Sequence, residues 1–409
     1  MKSDQIISKP KKSASVMFIF VTILLDAVGI GLIIPIFPDV IRRFNSDPQF
    51  VSHYFGYFIS LYALMQFVAS PILGSLSDRF GRRSILLISL LGAGLDYILM
   101  AYAPNLAILF LGRIISGLTG ASMTVASSYM ADISDDSNRS THFGMIGAGF
   151  GLGFILGPLM GGVLGTYSSR LPFLVAAGLT LVNFAFGLLI LPESLPPEKR
   201  RKMDLKRLNP FSSLKKILKP SPIMGLIIIY FLIILAGQAH PSIWTLYTQY
   251  KFHWTSVQVG MSLAVVGFSI ALVQGGLTRV VIPKLGEKKT LLLSFLFSIG
   301  GFFLFAVAPL GWMMYAILIF FAFSGLANPA LQSLISKDTP SEEQGELQGS
   351  LISLASITSI LGPILYTGLF SEFTREQGAW MFPGIPYLAA SLFCLLAFIL
   401  YFPRFRRGL

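Results

Sequence analysis

The chain contains 409 residues, of which 54% are hydrophobic and only 12% are charged. Its mean hydropathy of +0.72 excludes a soluble globular protein and indicates an integral membrane protein. The single cysteine, Cys394, excludes an intrachain disulfide. The net charge is +12, and its meaning depends on where the basic residues lie along the chain.

Apolar stretches of about 20 residues recur along the whole chain, each long enough to cross about 30 Å of hydrocarbon as a helix. The longest polar stretch, residues 192–222, is predicted to be a cytoplasmic linker between two six-helix halves, residues 1–191 and 223–409. The twelve predicted spans are residues 16–38, 54–77, 84–103, 106–130, 141–166, 171–191, 223–250, 256–282, 290–309, 311–336, 347–371 and 379–401.

The basic residues follow this alternation of spans and loops. With the N-terminus inside, most of the 31 Lys and Arg fall in cytoplasmic segments, as the positive-inside rule requires. The pattern predicts a multi-pass protein of the cell membrane (inner or plasma membrane) with both termini in the cytoplasm. The positive charge is therefore explained by topology and attraction to anionic lipid, and we predict no nucleic-acid partner.

Three charged residues lie near the middle of predicted spans. Asp26, Asp96 and Arg113 are each the only charge in an otherwise apolar span, and at 1.5 Å per residue all three lie near the midplane. A charge there costs about 2.5 to 3.5 kcal/mol on insertion scales and usually has a function. A change in the distance between an Arg and an Asp would load or release a proton. The alternative is a static ion pair or a hydrogen-bonded interior group that never titrates.

The two halves repeat at a constant offset of 205 residues. A constant offset across loops and spans makes coincidence improbable and indicates a duplicated six-helix unit. Parallel repeats with a site between them near the midplane are typical of major facilitator transporters. The matching positions are Gly81 with Gly286, Gly120 with Gly325, Gly144 with Gly349, and Gly157-Pro158 with Gly362-Pro363.

The loop between spans 2 and 3 closely resembles the signature loop of the major facilitator superfamily. It runs Gly74-Ser-Leu-Ser-Asp78-Arg79-Phe-Gly81-Arg82-Arg83. The resemblance implies an all-α membrane fold of twelve transmembrane helices in two pseudo-symmetric halves. It also implies that Gly74, Asp78, Arg79, Gly81 and Arg82 form a cytoplasmic conformational gate.

Span 5 resembles the antiporter signature of the same family. Small residues four apart let helices approach closely, and the proline lets the helix bend. Together with the signature loop, this motif implies export by exchange. Its residues are Gly153, Gly157, Pro158, Gly161 and Gly162.

More specific segments resemble the tetracycline-efflux branch of the drug:proton antiporters. The resemblance implies a proton-driven exporter, with Asp26, Gln66, Asp96 and Arg113 at polar positions that matter in that branch. The segments are Leu25-Asp26-Ala-Val-Gly-Ile-Gly-Leu-Ile-Ile-Pro35, Leu61-Tyr-Ala-Leu-Met-Gln66, Ser77-Asp-Arg-Phe-Gly-Arg-Arg83, Gly94-Leu-Asp96-Tyr and Gly349-Ser-Leu-Ile-Ser-Leu.

The second half departs from that branch, whose members carry a histidine in helix 8 and an acid in helix 9. Ile270 and Ser298 occupy the aligned positions here, which puts recognition of a magnesium-chelated tetracycline in question. Gln238, His240 and Trp244 in span 7 are the candidate replacements for binding substrate. His240 is as compatible with a hydrogen-bonded residue at a helix end, before Pro241.

The predicted function is secondary active transport: proton-coupled efflux of a tetracycline-class or other amphipathic drug by alternating access. The alternative is a major facilitator transporter of a metabolite, peptide or siderophore, and sodium is an alternative coupling ion. An enzyme is not predicted, because no nucleotide loop, metal-ligand cluster or serine-base arrangement is evident in the sequence. The expected partners are the small-molecule substrate, the proton and the lipid bilayer, with no cofactor, metal or obligate protein partner.

Overall fold

The computed structural model describes residues 9–120, 122–201, 223–375 and 380–406. Residues 202–222 of the predicted linker lie outside this part of the chain. The helices of the first repeat are α1 (Lys9–Ile33), α2 (Phe37–Arg42), α3 (Pro48–Phe80), α4 (Arg82–Ala101), α5 (Leu106–Thr119), α6 (Ser122–Ile133), α7 (Arg139–Tyr167) and α8 (Leu171–Ile190). Those of the second are α9 (Met224–Gly237), α10 (Ala239–Phe252), α11 (Ser256–Leu272), α12 (Thr278–Val307), α13 (Gly311–Ala322), α14 (Ala327–Lys337), α15 (Gln344–Glu372) and α16 (Ile385–Arg406).

The predicted all-α membrane architecture is confirmed. Within the described residues, 11 helical stretches are long and apolar enough to cross a membrane. One of them, Ser256–Val307, is 52 residues long, and its backbone leaves the helical conformation at Gly286, where φ is 75°. This stretch therefore supplies spans 8 and 9, which brings the number of spans to twelve.

Local sequence explains where several helices begin. The Asn105 side chain accepts a hydrogen bond from the Ile108 amide at 3.0 Å and caps α5. Thr255 and Gln258 form a reciprocal capping box at the start of α11. Each cap satisfies amide groups that the first turn of a helix leaves without a partner, so the spans begin at defined residues.

Both repeats interrupt their first span at corresponding positions. α1 ends at Ile33, and 205 residues later Gln238 separates α9 from α10. Span 10 also contains a 3₁₀ turn, Phe323–Leu326, between α13 and α14. Interrupted membrane helices leave backbone groups for other partners and are the usual location of transporter sites.

The described residues form two compact units. One comprises residues up to Ile34 together with those from Met65 to 201, and the other comprises Pro35–Leu64 together with residues from 223 onward. Phe18, Leu86 and Tyr129 belong to the buried core of the first unit, and Phe295 and Tyr401 to that of the second. The duplication assigns residues 35–64 to the first repeat, yet they pack with the second unit. The division at residues 191 and 222 stays a prediction.

Candidate functional site

The buried acid of α4 lies beside the cation of α5. Asp96 is 1% exposed, and both carboxylate oxygens are shielded from solvent without a fully formed hydrogen bond within the described part of the chain. The Arg113 guanidinium and the Ser116 hydroxyl are the groups near enough to interact with it. A buried carboxylate with so little compensation is costly to the folded state.

Gly112 creates the space that Asp96 occupies. A Cβ at Gly112 would lie 2.8 Å from Asp96 Oδ1 and 2.7 Å from Met100 Cγ, so any side chain there would displace the acid. Ser116 was not predicted from the sequence. Its position one helical turn after Arg113 was the available signal, because residues three apart share a helix face.

The second acid has a different partner. Asp26 is half-buried on α1, and the hydroxyl of Ser122, the first residue of α6, is near enough to interact with its carboxylate. Gln66 of α3 donates to the Gly120 carbonyl at 3.0 Å. Residues of span 4 therefore lie beside both of these predicted site residues.

The predicted gate loop forms a network of polar contacts in the first unit. Arg82 Nη1 lies 2.6 Å from Asp78 Oδ1 and donates to Ser77 Oγ at 2.6 Å, while its Nε donates to Asp132 Oδ2 at 3.2 Å. Arg79 is exposed, with its guanidinium over the Phe80 ring. Asp132, at the end of span 4, was missed from the sequence because tertiary folding alone brings it here.

Glu193 holds the same loop from the end of span 6. Its Oε1 accepts from the Arg82 amide at 2.8 Å, the Ser194 amide at 3.0 Å and the Leu195 amide at 3.1 Å. Gly81 has φ of 100°, and a Cβ there would overlap Glu193 Oε2. Glycine is thus required both for the backbone conformation and for room, and Glu193 caps the start of α4.

The predicted antiporter motif forms the contact between α7 and α1. A Cβ at Gly157 would lie 2.7 Å from the Val28 carbonyl oxygen and 2.9 Å from Gly31 Cα. Gly153 and Gly161 meet the α1 backbone in the same way. Pro158, also buried, packs on Gly31, and Gly162 is buried beside it. Gly74, by contrast, has open space, with its nearest neighbour 4.0 Å from a Cβ.

The second-unit candidates lie at the break in span 7. Gln238 Nε2 donates to Ser359 Oγ at 3.1 Å, and the buried Trp244 donates from Nε1 to Ser262 Oγ at 2.8 Å. The His240 ring lies 4.4 Å from that of Trp244, and neither of its nitrogens has a hydrogen-bond partner within the described residues. Gln238 and Trp244 are therefore engaged within the fold, while the imidazole is enclosed without polar contacts.

Comparison with known proteins identifies the chain's family. A sequence model described as Major Facilitator Superfamily matches residues 19–363 and 284–407. The chain belongs to this superfamily. It is similar to the tetracycline resistance protein, class C, of Escherichia coli, 41% identical over 400 residues that cover 97% of this chain and 98% of that protein. The class H protein of Pasteurella multocida is 40% identical over 364 residues, 87% of this chain and 89% of that protein.

A solved structure shows the same major facilitator fold. The human organic anion transporter MFSD10 matches 96% of this chain and 100% of its own, with a TM-score of 0.68 and 23% identity. The major facilitator fold therefore accounts for the twelve spans and the two repeats of this chain. The resemblance to the tetracycline-efflux branch, which rested on motifs in the sequence, is confirmed by the overall identity to the class C protein.

The departures of this major facilitator chain in helices 8 and 9 are packed into its core. Ile270 packs against a buried cluster of Val273, Ala322 and Leu326. Ser298 is 6% exposed and donates to the Ser294 carbonyl at 2.8 Å. Neither position offers an ionisable group, so the chemistry that the branch places there is absent at these two residues.

Proposed function

We propose that this protein exports a tetracycline-class or other amphipathic drug in exchange for protons, by alternating access. The observation that carries the proposal is the buried Asp96 beside Arg113 and Ser116. The identity of 41% to a tetracycline resistance protein, along nearly the full length of both chains, supports the substrate class. The charge bias of the loops supports cytoplasmic termini, and the resemblance of span 5 to the antiporter signature supports export by exchange.

In this mechanism Asp26, Asp96 and Arg113 couple transport to protons. Asp96 exchanges a proton when its relation to Arg113 changes, since an opposite charge nearby decides which form of a buried carboxyl is stable. Both acids lie beside side chains of span 4, Asp26 beside Ser122 and Asp96 beside Arg113 and Ser116, so movement of span 4 alters both surroundings together.

Substrate recognition is assigned to Gln66, Gln238, His240 and Trp244. Gln66 donates to the Gly120 carbonyl in span 4, and Gln238 lies at the break in span 7. The imidazole of His240 has two ring nitrogens without hydrogen-bond partners in the described fold. Trp244 supports His240 from one side. The gate loop of Gly74, Asp78, Arg79, Gly81 and Arg82 controls opening toward the cytoplasm.

Drug uptake into inverted membrane vesicles with an acidic lumen tests the proposal. Asp26→Asn and Asp96→Asn are each expected to reduce proton-driven uptake at least tenfold, a loss of about 1.4 kcal/mol or more of coupling, while insertion is unchanged. Asp136→Asn, which changes an exposed acid in the loop after span 4, serves as the control and keeps the wild-type rate.

Two outcomes contradict separate parts of the proposal. Full proton-driven uptake by both aspartate variants would remove the coupling mechanism. If the wild type moves no drug of a chemically varied panel but releases protons on adding a metabolite or peptide, the substrate class is wrong and the coupling mechanism stands.

A further inference from the structure

The outer end of span 1 continues into a short amphipathic helix. α2 begins with Phe37 and Pro38 and carries Asp39 in its first turn and Arg42 in its last. Its apolar residues are buried, with the Phe37 and Phe58 ring centroids 4.0 Å apart. Because residues three apart share a helix face, Asp39 and Arg42 lie together on the partly exposed side.

These two residues close a ring of hydrogen bonds with spans 7 and 8, which we name the outer clasp. Arg42 Nη1 contacts Asp39 Oδ1 and donates to Gln249 Oε1 at 2.9 Å. Gln249 Nε2 lies 3.5 Å from Asp39 Oδ2, and Ser256 Oγ donates to the same oxygen at 3.2 Å. Asp39 is the common acceptor of all three partners, so the ring depends on it.

A second row of contacts lies on span 2. The buried hydroxyls of Ser52 and Ser60 donate to the carbonyls of Thr367 at 2.9 Å and Ile360 at 2.7 Å in α15. A Cβ on Gly56, between them, would lie 3.0 Å from the Pro363 carbonyl oxygen. Spans 2 and 11 therefore approach backbone to backbone along this row.

All the residues of both rows belong to the second compact unit, although residues 35–64 come from the first repeat. The corresponding positions in the second repeat are Trp244 and Tyr247, which are buried aromatic residues. The charged pair is thus absent from the duplicated scaffold and specific to the outer end of span 1.

The exposure of the outer clasp suits a contact that opens and closes. The Asp39 and Arg42 side chains are 39% and 38% exposed, so water can replace their partners at little cost. The serine row likewise uses single hydroxyl donors that water can satisfy once the helices part. A fully buried ion pair would instead resist opening.

We propose that Asp39 is a positioning residue of the transport cycle. It holds the outer ends of spans 1 and 2 against spans 7, 8 and 11, and this contact must break before substrate leaves to the outside. The proposal rests on the proposed export by alternating access, but its test requires no knowledge of the substrate.

The test measures how fast a cysteine in the second row reacts from outside. Ser52→Cys is introduced with Cys394→Ala, and intact cells are treated with a membrane-impermeant maleimide. Asp39→Ala is expected to accelerate labelling at least threefold, because loss of the common acceptor increases the open population. Asp39→Asn, which keeps the shape and loses the charge, is expected to have a smaller effect in the same direction.

Asp47→Asn is the matched control, because Asp47 is an outer acid whose carboxylate, among the described residues, accepts from the start of α3, at the Phe50 and Gln49 amides. It is expected to leave labelling unchanged. Should Asp39→Ala fold poorly, Gln249→Ala removes two contacts of the ring and Ser256→Ala removes one, and both are expected to accelerate labelling less. Wild-type labelling rates in all clasp variants, or equal acceleration by Asp47→Asn, would overturn the proposal whatever the drug assay shows.

Discussion

Corresponding loops of the two repeats share a backbone and exchange their charges. Gly81 and Gly286 both have positive φ, 100° and 75°, at the turn into the third span of their own repeat. The residue after each glycine forms an ion pair with a residue at the end of the fourth span, 205 positions apart in the two repeats. The pairs are Arg82 with Asp132 and Glu287 with Lys337. The duplicated loops therefore keep the ion pair at the same positions, but the positive and negative residues have exchanged places.

The membrane interior differs far more than the loops. Asp26 and Asp96 correspond to Phe231 and Gly301, and Arg113 corresponds to Leu318. Within the described residues, the second repeat repeats the interruption of the first span without the charges that the first repeat carries inside its spans. The helix geometry is shared, while these charges are confined to one repeat, which separates what the scaffold needs from what the proposed proton coupling needs.

The largest expected difference between the repeats concerns their loop glycines. Gly81→Ala and Gly286→Ala both place a side chain at positive φ, which costs about 1 to 3 kcal/mol. Gly81→Ala also displaces Glu193 from the start of α4, adding about 1 to 2 kcal/mol by the scale of helix caps, whereas no described residue lies within 4 Å of a Cβ at Gly286. Thermal unfolding in detergent should show the larger loss for Gly81→Ala.

Glu193→Ala provides the control for this difference. In that background the two alanine variants should become nearly equal, since the obstructing carboxylate is gone. If Gly81→Ala still lowers stability more than Gly286→Ala, the difference arises from the backbone conformation, and Glu193 does not explain it.

The architecture could be predicted because the bilayer imposes it. Hydropathy alone located the spans, since each must be apolar over about 20 residues. The constant offset of Gly81 and Gly286 found the duplicated loops, because a backbone at positive φ restricts the residue to glycine. The interruption at Gln238 was not predicted, although Gly237 beside it and Pro241 three residues later were the available signals.

A smaller difference is expected between the glycines of spans 5 and 11. Gly157→Ala would press on backbone atoms of α1, the Val28 carbonyl and Gly31 Cα, which cannot move without shifting the helix. Gly362→Ala would overlap Gln238 Cβ, but that residue lies at a helix break that can adjust. We expect about 2 to 3 kcal/mol for Gly157→Ala and about 1 kcal/mol for Gly362→Ala on the overpacking scale.

Gly151→Ala is the matched control on the same helix as Gly157, because nothing lies within 4 Å of a Cβ there. It should be neutral or slightly stabilising, given the higher helix propensity of alanine. Equal losses for Gly151→Ala and Gly157→Ala would show that helix flexibility, and not close approach to α1, sets the cost.

The site could be predicted only in part, for a physical reason. Asp26, Asp96 and Arg113 stand out because a charge in an apolar span is expensive, and that cost is visible in sequence. Their partners Ser116 and Ser122 are ordinary residues in membrane helices, and tertiary packing alone selects them. The same holds for Glu193, which follows the last residue of span 6 like any polar loop residue.

The smallest expected effect comes from exchanging the ion pair of the second repeat. The Lys337 side chain is 61% exposed and its Nζ lies 2.5 Å from Glu287 Oε1, so the pair contributes less than about 1 kcal/mol. Glu287→Lys combined with Lys337→Glu should restore the melting temperature that either single change lowers. Arg82, only 11% exposed and bound to three acceptors, should tolerate no such exchange with Asp132.

Transport by the exchanged variant decides why the signs are reversed. If reversal is a neutral drift that preserves only the attraction, the Glu287→Lys, Lys337→Glu protein should transport at the wild-type rate. A loss of transport at unchanged melting temperature would show that the charge of each loop interacts with a group other than its ion-pair partner. In that case the reversed signs are a requirement of the transport cycle, and the two loops are not interchangeable copies.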